Sequence, residues 1–157
     1  MAIRIEIPGQ LPVELRHLVC DFNGTLATDG QLLPQVADRL KRLSQRIRIL
    51  VATSDTFGTA QEQLQDIPVQ LHRLSGASSA LQKAALIEAL GRTSCVMLGN
   101  GRNDVAALHL ARLSIVVLGT EGVAVQALNA AHLCVSSPID ALDLLLYPAR
   151  LTATLRA

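Results

Sequence analysis

Aromatic residues are scarce in this chain: its 157 residues include two Phe, one Tyr and no Trp. Half of the residues are nevertheless hydrophobic, so a core must be formed almost entirely by Leu, Val, Ile and Ala. Aliphatic runs of this kind are typical of parallel strands that are covered by helices on both faces. The length fits one domain, residues 1–157, that is long enough to bury most of its apolar surface.

The sequence also lacks the marks of several functional classes. Its three cysteines (Cys20, Cys95 and Cys134) lie in apolar stretches without C-x-x-C spacing, which predicts buried free thiols in a reducing compartment instead of a disulfide or a zinc site. No apolar stretch is long enough to span a bilayer, and the N-terminus has no signal-peptide apolar region. The net charge is +1 and the arginines are scattered, which predicts no nucleic-acid partner. We therefore expect a soluble cytoplasmic protein without a membrane partner.

Short apolar runs alternate with segments of helical periodicity. Strands are expected at 17–22, 47–53, 69–74, 95–98, 114–118 and 132–135, and helices at 35–44, 58–65, 78–90, 102–112, 122–130 and 138–146. Alternation of this kind predicts an α/β fold, a doubly wound parallel sheet in three layers with right-handed crossovers. Residues 3–7 alternate like an edge strand, and the pattern gives them no place in the sheet.

Polar residues follow the predicted strands, at the edge where open α/β sheets bind ligands. Asp21 ends the first strand, Thr53 and Ser54 end the second, and Lys83 lies early in the helix after the third. The fourth strand runs into residues 99–104, Gly-Asn-Gly-Arg-Asn-Asp. These side chains are the candidates for catalysis or ligand binding.

Four of these segments resemble, in order, the motifs of the haloacid dehalogenase (HAD) superfamily. Residues 19–26, Val-Cys-Asp-Phe-Asn-Gly-Thr-Leu, are similar to the first motif, Asp-x-Asp-Gly-Thr-Leu. Thr53 resembles the second-motif hydroxyl, Lys83 the third-motif cation, and residues 99–104 the fourth-motif loop. The resemblance spans residues 17–118 and is strongest to the phosphorylation domain of P-type ATPases. It implies a Rossmann-like HAD core.

The resemblance implies a magnesium-dependent phosphohydrolase or phosphotransferase in which the Asp21 carboxylate forms an aspartyl phosphate. The catalytic residues that it implies are Asp21, Asn23, Thr53 and Lys83. The implied substrate-binding residues are Phe22, Gly24, Thr53, Ser54 and Lys83, with backbone N–H groups of the 22–24 turn as anion donors. The implied magnesium ligands are Asp21, Asn23 through its carbonyl, Asn100 and Asp104.

Each residue also has a simpler interpretation. Asp21 could cap its own turn, Thr53 could end a strand, and Lys83 could be a solvated helix residue. Asp55 is expected to cap the following helix or support the site. The four histidines have no metal-ligand spacing and are expected to be structural or solvated.

Two asparagines stand where the family motifs have aspartate. Asn23 occupies the position of the general acid/base, and an amide cannot transfer that proton. Asn100 removes one negative charge from the fourth motif, which should weaken magnesium binding. We therefore expect slow turnover through phospho-Asp21, or alternatively a catalytically degenerate phosphate- or metal-binding regulatory module. A response-regulator receiver is disfavoured because its phosphorylated Asp follows the third strand, behind an acidic pair on the first.

The motif spacing also limits access to the site. Asp21 and Thr53 are 32 residues apart, and Thr53 and Lys83 are 30 apart; the predicted helices fill both intervals. No cap domain fits, and residues 27–33 could form only a small flap. An open site suits a phosphoprotein, or a phosphorylated small molecule that a neighbouring subunit of a homo-oligomer covers.

Overall fold

Six parallel strands form the central sheet of the computed structural model, which describes residues 1–54 and 58–157. Their order is β10-β9-β8-β3-β6-β7, and every neighbouring pair is parallel. The strands are β3 (His17–Cys20), β6 (Arg48–Thr53), β7 (Gln70–Arg73), β8 (Cys95–Gly99), β9 (Leu113–Val117) and β10 (Leu133–Val135). After β3, the chain adds β6 and β7 on one side, and it then crosses to the other side of β3 and adds β8, β9 and β10.

Helices cover both faces of this sheet and give three layers. They are α1 (Pro34–Leu43), α2 (Ala60–Leu64), α3 (Ser79–Leu90), α4 (Val105–Leu110), α5 (Val125–Ala130), α6 (Pro138–Leu146) and α7 (Ala149–Leu155). The buried residues of α1, α2, α6 and α7 belong to one hydrophobic cluster, whereas those of α4 and α5 belong to a second cluster with Ile87 of α3.

Strand β3 shows how the aliphatic sequence divides between the two layers. Leu18 and Cys20 join the first cluster, while Val19, between them, joins the second. All three are fully buried, as a central strand with helices on both sides requires. Complete burial of one such aliphatic side chain contributes about 1.5–3 kcal/mol, so the central strand is held firmly from both faces.

Two small antiparallel hairpins lie outside the main sheet. Strands β1 (Ile3–Ile5) and β2 (Val13–Leu15) pair with each other, and their inward-facing side chains are buried in the first cluster. This pairing gives residues 3–7 the place that the sequence pattern alone could not assign. Strands β4 (Ala27–Thr28) and β5 (Gln31–Leu32) form the second hairpin. It is the small flap expected after the first motif.

The doubly wound parallel sheet and the absence of a cap domain in the described residues confirm the sequence prediction. Four details differ. The helix expected at 102–112 is a 3₁₀ turn, Arg102–Asp104, followed by α4. The helix expected at 122–130 begins only at Val125. Strand β2 and helix α7 were not predicted. Cys134 is exposed because β10 is the edge strand of the sheet and its middle residue faces outward.

The order of the strands determines where a site can form. Strand β3 has β6 on one side and β8 on the other, and the direction of chain winding reverses between β3 and β8. The loops that leave the carboxyl ends of these two strands diverge there and open a crevice. The β3 loop begins at Asp21, and the β8 loop begins after Gly99.

Candidate active site

Asp21 lies at the carboxyl end of the central strand with its carboxylate held in place. Its backbone N–H donates to the Leu98 carbonyl at 2.9 Å, which extends the pairing of β3 with β8 by one residue. Its Oδ1 accepts the backbone N–H of Phe22 at 3.0 Å and lies 3.1 Å from Lys83 Nζ. Oδ2 accepts no hydrogen bond from any residue that the structure describes. One oxygen of Asp21 is therefore fixed and the other is available.

The turn after Asp21 is organised around Phe22. Its carbonyl accepts the backbone N–H groups of Thr25, Leu26 and Ala27 at 3.2, 2.9 and 3.0 Å, and its side chain is fully buried. Gly24 has φ +77°, and a Cβ there would lie 2.5 Å from Nδ2 of Asn100. Only glycine satisfies both the backbone conformation and this close approach.

Lys83 is the buried cation of the site. Only 1 % exposed, it lies 2.7 Å from Asp104 Oδ1 in addition to its contact with Asp21. Burial by itself would lower the pKa of Lys83, but the negative charges of Asp21 and Asp104 raise it above its ordinary value. The lysine is therefore charged and bridges two carboxylates, which excludes the interpretation as a solvated helix residue.

Asp104 is fully buried beneath the crevice. Its Oδ2 accepts the backbone N–H groups of Asn100 and Gly101 at 2.9 and 3.0 Å. A Cβ at Gly99 would lie 2.6 Å from the Asp104 carboxyl carbon, so glycine is required where β8 ends. Both oxygens of Asp104 are in use: they position Lys83 and shape the loop that follows β8.

The two carboxylates around one lysine leave an excess of negative charge in a buried place. Burial and the nearby charge of Asp104 raise the pKa of Asp21 to about 7, although Lys83 and the Phe22 N–H act in the opposite direction. The ionised form of Asp21 is thus costly in the isolated protein. A positive charge brought into the crevice would stabilise it.

A polar cavity of about 240 Å³ opens in front of Asp21. Eight of the described residues line it: Asp21, Asn23, Thr53, Ser54, Asn100, Gly101, Asn103 and Glu121. Thr53 is 2 % exposed and stands at the end of β6, so its position is set by the sheet. The cavity combines hydroxyl, amide and carboxylate groups, a lining that suits a small, highly charged ligand.

The two asparagines of interest differ in their surroundings. Asn100 Oδ1 accepts the Thr25 hydroxyl at 3.2 Å, and its Nδ2 donates to the Gly122 carbonyl at 3.2 Å. Asn23 Oδ1 is buried and has no hydrogen-bond partner among the described residues. An orphaned buried oxygen at a polar cavity indicates a missing ligand, because such atoms are rarely left unpaired.

The curated proteins that resemble this chain include P-type ATPases. Sodium/potassium exporting P-type ATPase 1 of Saccharomyces cerevisiae is 32 % identical over 117 residues, which cover 72 % of this chain and 10 % of the ATPase. An uncharacterized protein of Methanocaldococcus jannaschii is 34 % identical over 92 residues, which cover 56 % of this chain and 99 % of that protein. No protein-family model matches the chain.

Solved structures with this fold include phosphatases and other hydrolases. The 3-deoxy-D-manno-octulosonate 8-phosphate (KDO 8-phosphate) phosphatase of Moraxella catarrhalis, in complex with magnesium, phosphate and KDO, superposes with a TM-score of 0.71. It is 16 % identical, and the match covers 88 % of this chain and 90 % of the phosphatase. A HAD superfamily (subfamily III A) hydrolase of Legionella pneumophila has the same TM-score and identity, with 89 % and 86 % covered. The chain therefore has the fold of these HAD-superfamily hydrolases.

The structure brings together most of the residues that resemble the HAD motifs. Asp21, Asn23, Thr53, Ser54 and Asn100 line one cavity. Lys83 and Asp104 lie beneath it, within contact of Asp21 or of each other. Asp55 lies outside the described residues.

Two of the substrate-binding residues expected from the HAD motifs are already engaged. The Phe22 N–H donates to its neighbour's carboxylate, and the Gly24 N–H donates to the Ala27 carbonyl at 2.9 Å. The Asn23 N–H has no partner among the described residues, so it is the donor of this turn that a phosphate could use without displacing another bond.

Sequence reasoning missed two residues that line the cavity, Asn103 and Glu121. Asn103 belongs to the recognised fourth-motif loop, but it is not among the site residues that the motif resemblance predicts. Glu121 lies in the loop after β9, the next strand beyond β8. The rule that selected the other candidates, polar residues after buried strands, would also have selected this one. The histidines give no metal site: within the described residues, no cluster of three or more His, Cys, Asp or Glu could hold a metal ion.

The relatives from yeast are described as sodium/potassium exporting P-type ATPases. In the part of this chain that the structure describes, every helix is too short or too polar to cross a bilayer. The match covers about a tenth of the yeast ATPase, so it gives no ground for assigning the transport activity of that protein to this chain.

Proposed function

We propose that the protein is a magnesium-dependent phosphohydrolase that forms an aspartyl phosphate on Asp21. One observation carries this proposal: Asp21 presents a free carboxylate oxygen to a polar cavity while a buried lysine, 3.1 Å away, holds the other oxygen. A nucleophile fixed by a cation is what phosphoryl transfer requires, because the reaction depends on positioning and on neutralising charge.

The reaction divides into two displacements at phosphorus. In the first, Asp21 Oδ2 forms a bond to phosphorus while the bond from phosphorus to the leaving oxygen of the substrate breaks. In the second, water attacks phosphorus and the aspartyl phosphate bond breaks, which releases phosphate and restores Asp21. Lys83 balances the charge of the carboxylate, and Thr53, buried at the cavity wall, donates its hydroxyl to a phosphoryl oxygen.

The oxygen donors at the cavity fit magnesium, which favours oxygen ligands, retains several waters and needs only one or two carboxylates. Asp21, the Asn23 carbonyl and the Asn100 side chain would hold it. When bound, the ion neutralises charge on the phosphoryl group. The costly negative charge of Asp21 supports a bound cation here, and the unpaired side-chain oxygen of Asn23 supports a polar ligand or water beside it. The two oxygens of Asp104 already contact Lys83 and the N–H groups of the 99–104 loop. We therefore leave Asp104 out of this ligand set, and a direct magnesium bond to it stays a prediction from the sequence.

Asn23 makes this reaction slow. It stands where a carboxylic acid would protonate the leaving group and later activate water, and its amide can do neither. Substrates with a good leaving group, such as acyl phosphates or aryl phosphates, avoid the first of these needs. A persistent phosphorylated Asp21 is therefore the expected state under turnover.

The substrate class that we propose is a phosphorylated small molecule. The Moraxella neighbour, a phosphatase of a sugar-acid phosphate, supports it, and so does the modest cavity. A phosphoprotein remains the alternative for an open site, and a neighbouring subunit of a homo-oligomer could cover it. A cytoplasmic location stays a prediction from the sequence.

A second candidate function is a regulatory module that binds phosphate or metal without turnover. The neutral side chains at positions 23 and 100 favour it, since the HAD motifs have aspartate at both. Hydrolysis of p-nitrophenyl phosphate and acetyl phosphate with Mg²⁺ distinguishes the two. Phosphate release that disappears in Asp21→Asn supports the enzyme, whereas phosphate binding without release, in wild type and in Asn23→Asp alike, supports the module.

A further inference from the structure

We propose that Glu121 supplies the second carboxylate of the cation site and replaces the one that is missing at position 100. The inference rests on the proposed function only in that it places a divalent cation beside Asp21. It assigns a role to a residue outside the recognised motifs, in the loop that follows β9.

The position of Glu121 is fixed from two sides. Its loop turns back on itself where the Gly122 N–H donates to the Gly119 carbonyl at 3.0 Å. The loop is also tied to residue 100: the Asn100 side chain donates to the Gly122 carbonyl, and the Ala124 N–H donates to the Asn100 carbonyl at 2.9 Å. The carboxylate therefore extends from a backbone that is attached to the fourth-motif loop.

The contacts at Gly24 show where this carboxylate lies. A Cβ built on Gly24 would be 2.5 Å from Asn100 Nδ2 and 3.2 Å from Glu121 Cδ. The carboxyl carbon of Glu121 and the amide of Asn100 thus meet at the same edge of the first-motif turn. Glu121 also lines the cavity with Asp21. Glu121 is therefore adjacent to Asn100, the residue that stands where the fourth HAD motif has a charged aspartate.

The distribution of charge around the cavity indicates that Glu121 is the second carboxylate available to a cation. Lys83 and Asp104 form a buried ion pair, so their charges offset each other. Among the described residues that line the cavity, Asp21 and Glu121 are the two with a carboxylate. No described residue forms an ion pair or hydrogen bond with the side chain of Glu121, which is exposed at the cavity. Two carboxylates match the charge of a divalent cation.

The chemistry of magnesium suits a carboxylate at the rim of the cavity. The ion keeps several bound waters, so Glu121 can act on it directly or by accepting hydrogen bonds from those waters. Groups that hold the ligands or waters of a metal typically change its affinity by about 10–100-fold when they are removed. Neutralising Glu121 should therefore weaken Mg²⁺ binding measurably without touching the buried network.

The test measures Mg²⁺ affinity by isothermal titration calorimetry, with no substrate present. Glu121→Gln should raise the dissociation constant by about tenfold or more. Glu88→Gln is the matched control: it removes one negative charge from an exposed residue on α3, outside the cavity, and should change the constant less than twofold. The double variant Glu121→Gln with Asn100→Asp should recover affinity, because it returns a carboxylate to the adjacent position.

Equal Mg²⁺ affinity in wild type and Glu121→Gln overturns the inference, as does wild-type protein that binds no Mg²⁺. Parallel assays with acetyl phosphate separate this result from the proposed function. A wild type that hydrolyses the substrate while Glu121→Gln binds Mg²⁺ normally leaves the enzyme and removes Glu121 from the site. A Glu121-dependent affinity in a protein without hydrolysis keeps the cation site and overturns the enzyme.

Discussion

Two loops face each other across the crevice, and they treat their asparagines differently. In the Asn100 loop (residues 99–104), the asparagine side chain accepts one hydrogen bond and donates another. The Asp104 carboxylate accepts the backbone N–H groups of Asn100 and Gly101. In the Asp21 loop (residues 21–27), the Asn23 side chain has no hydrogen bond with any described residue, and its oxygen is buried. The Asn100 side chain is therefore paired at both its oxygen and its nitrogen, whereas the Asn23 side-chain oxygen has no partner among the described residues.

This difference separates two effects of losing a carboxylate. Asn100 uses its NH₂ group as a donor to the Gly122 carbonyl, which an aspartate could not do. Its amide is therefore part of the loop's structure. Asn23 makes no such use of its amide, so an aspartate there would remove no described hydrogen bond. We expect changes at position 23 to affect chemistry, and changes at position 100 to affect stability and metal binding together.

The largest expected effect is on the rate, from Asn23→Asp. The new carboxyl group supplies a general acid and base, a contribution that is typically ~10²–10⁴-fold. Steady-state hydrolysis of p-nitrophenyl phosphate should rise by that order, while phosphoenzyme trapped from acetyl phosphate should become shorter-lived.

The control for this change is the double variant Asn23→Asp with Asp21→Asn, which should be inactive because the nucleophile is gone. A wild type as fast as Asn23→Asp would contradict the prediction and show that another group transfers the proton.

The next effect concerns Lys83, which connects the two loops through Asp21 and Asp104. Lys83→Met keeps most of the side-chain volume but leaves two buried carboxylates without their cation, and breaking a buried pair in this way typically costs about 3–5 kcal/mol. Urea denaturation at pH 8 should show a loss of that order. Lys41→Met, at the exposed end of α1, is the control and should change the free energy of unfolding by less than about 0.5 kcal/mol. A similar small change for Lys83→Met would mean that the loops do not depend on their ion pairs.

The success of the sequence interpretation at this site follows from the sheet. Asp21, Thr53 and residues 99–104 follow buried strands, and parallel strands bring their carboxyl ends to one edge, so their meeting could be predicted. Lys83 was placed by motif resemblance alone, and its burial depends on side-chain packing that periodicity does not report.

The failures have equally physical reasons. The hairpin of β1 and β2 is held mainly by packing against the first hydrophobic cluster, a tertiary contact with no local signature. Glu121 lies 17 residues beyond the end of the recognised fourth-motif loop, residues 99–104, and is brought to Asn100 by a turn between Gly119 and Gly122. The hydrogen bonds that engage the Asn100 amide come from Thr25 and Gly122, both distant in sequence, so the contrast between the two asparagines could not be predicted.

A third effect tests the charge excess at the Asp21 loop. Burial and Asp104 raise the pKa of Asp21 from 3.8 to about 7 in the folded protein. The unfolded chain therefore loses this proton first, and the stability of the wild type falls as pH rises from about 4 to about 7. Asp21→Asn has no proton to lose, so without metal at pH 8 it should be more stable than wild type by roughly 1–3 kcal/mol.

That gain should shrink as pH falls toward 5, because the folded wild type is then protonated at Asp21. Thermal unfolding at pH 5 and pH 8 in EDTA measures it. Asp29→Asn, in the exposed turn of the small hairpin, serves as the control and should show no comparable pH-dependent gain. A gain for Asp21→Asn that is equal at both pH values would contradict the charge argument.

The smallest effect is expected for Asn100→Asp, and it has opposite signs with and without metal. In EDTA, the new carboxylate oxygen faces the Gly122 carbonyl where an NH₂ group now donates at 3.2 Å. The loss of this bond, with two acceptors left facing each other, should destabilise the protein by about 1–2 kcal/mol. With Mg²⁺, the added negative charge should tighten binding and recover the lost stability by linkage.

Thermal unfolding across a Mg²⁺ titration measures both effects. The unfolding temperature of Asn100→Asp should begin below that of wild type and should approach or exceed it as Mg²⁺ is added. Asn103→Asp adds the same charge at another lining residue that makes no described hydrogen bond, so it should start near the wild type in EDTA. If Asn100→Asp is as stable as Asn103→Asp without metal, the amide of Asn100 is not the structural element that distinguishes the two loops.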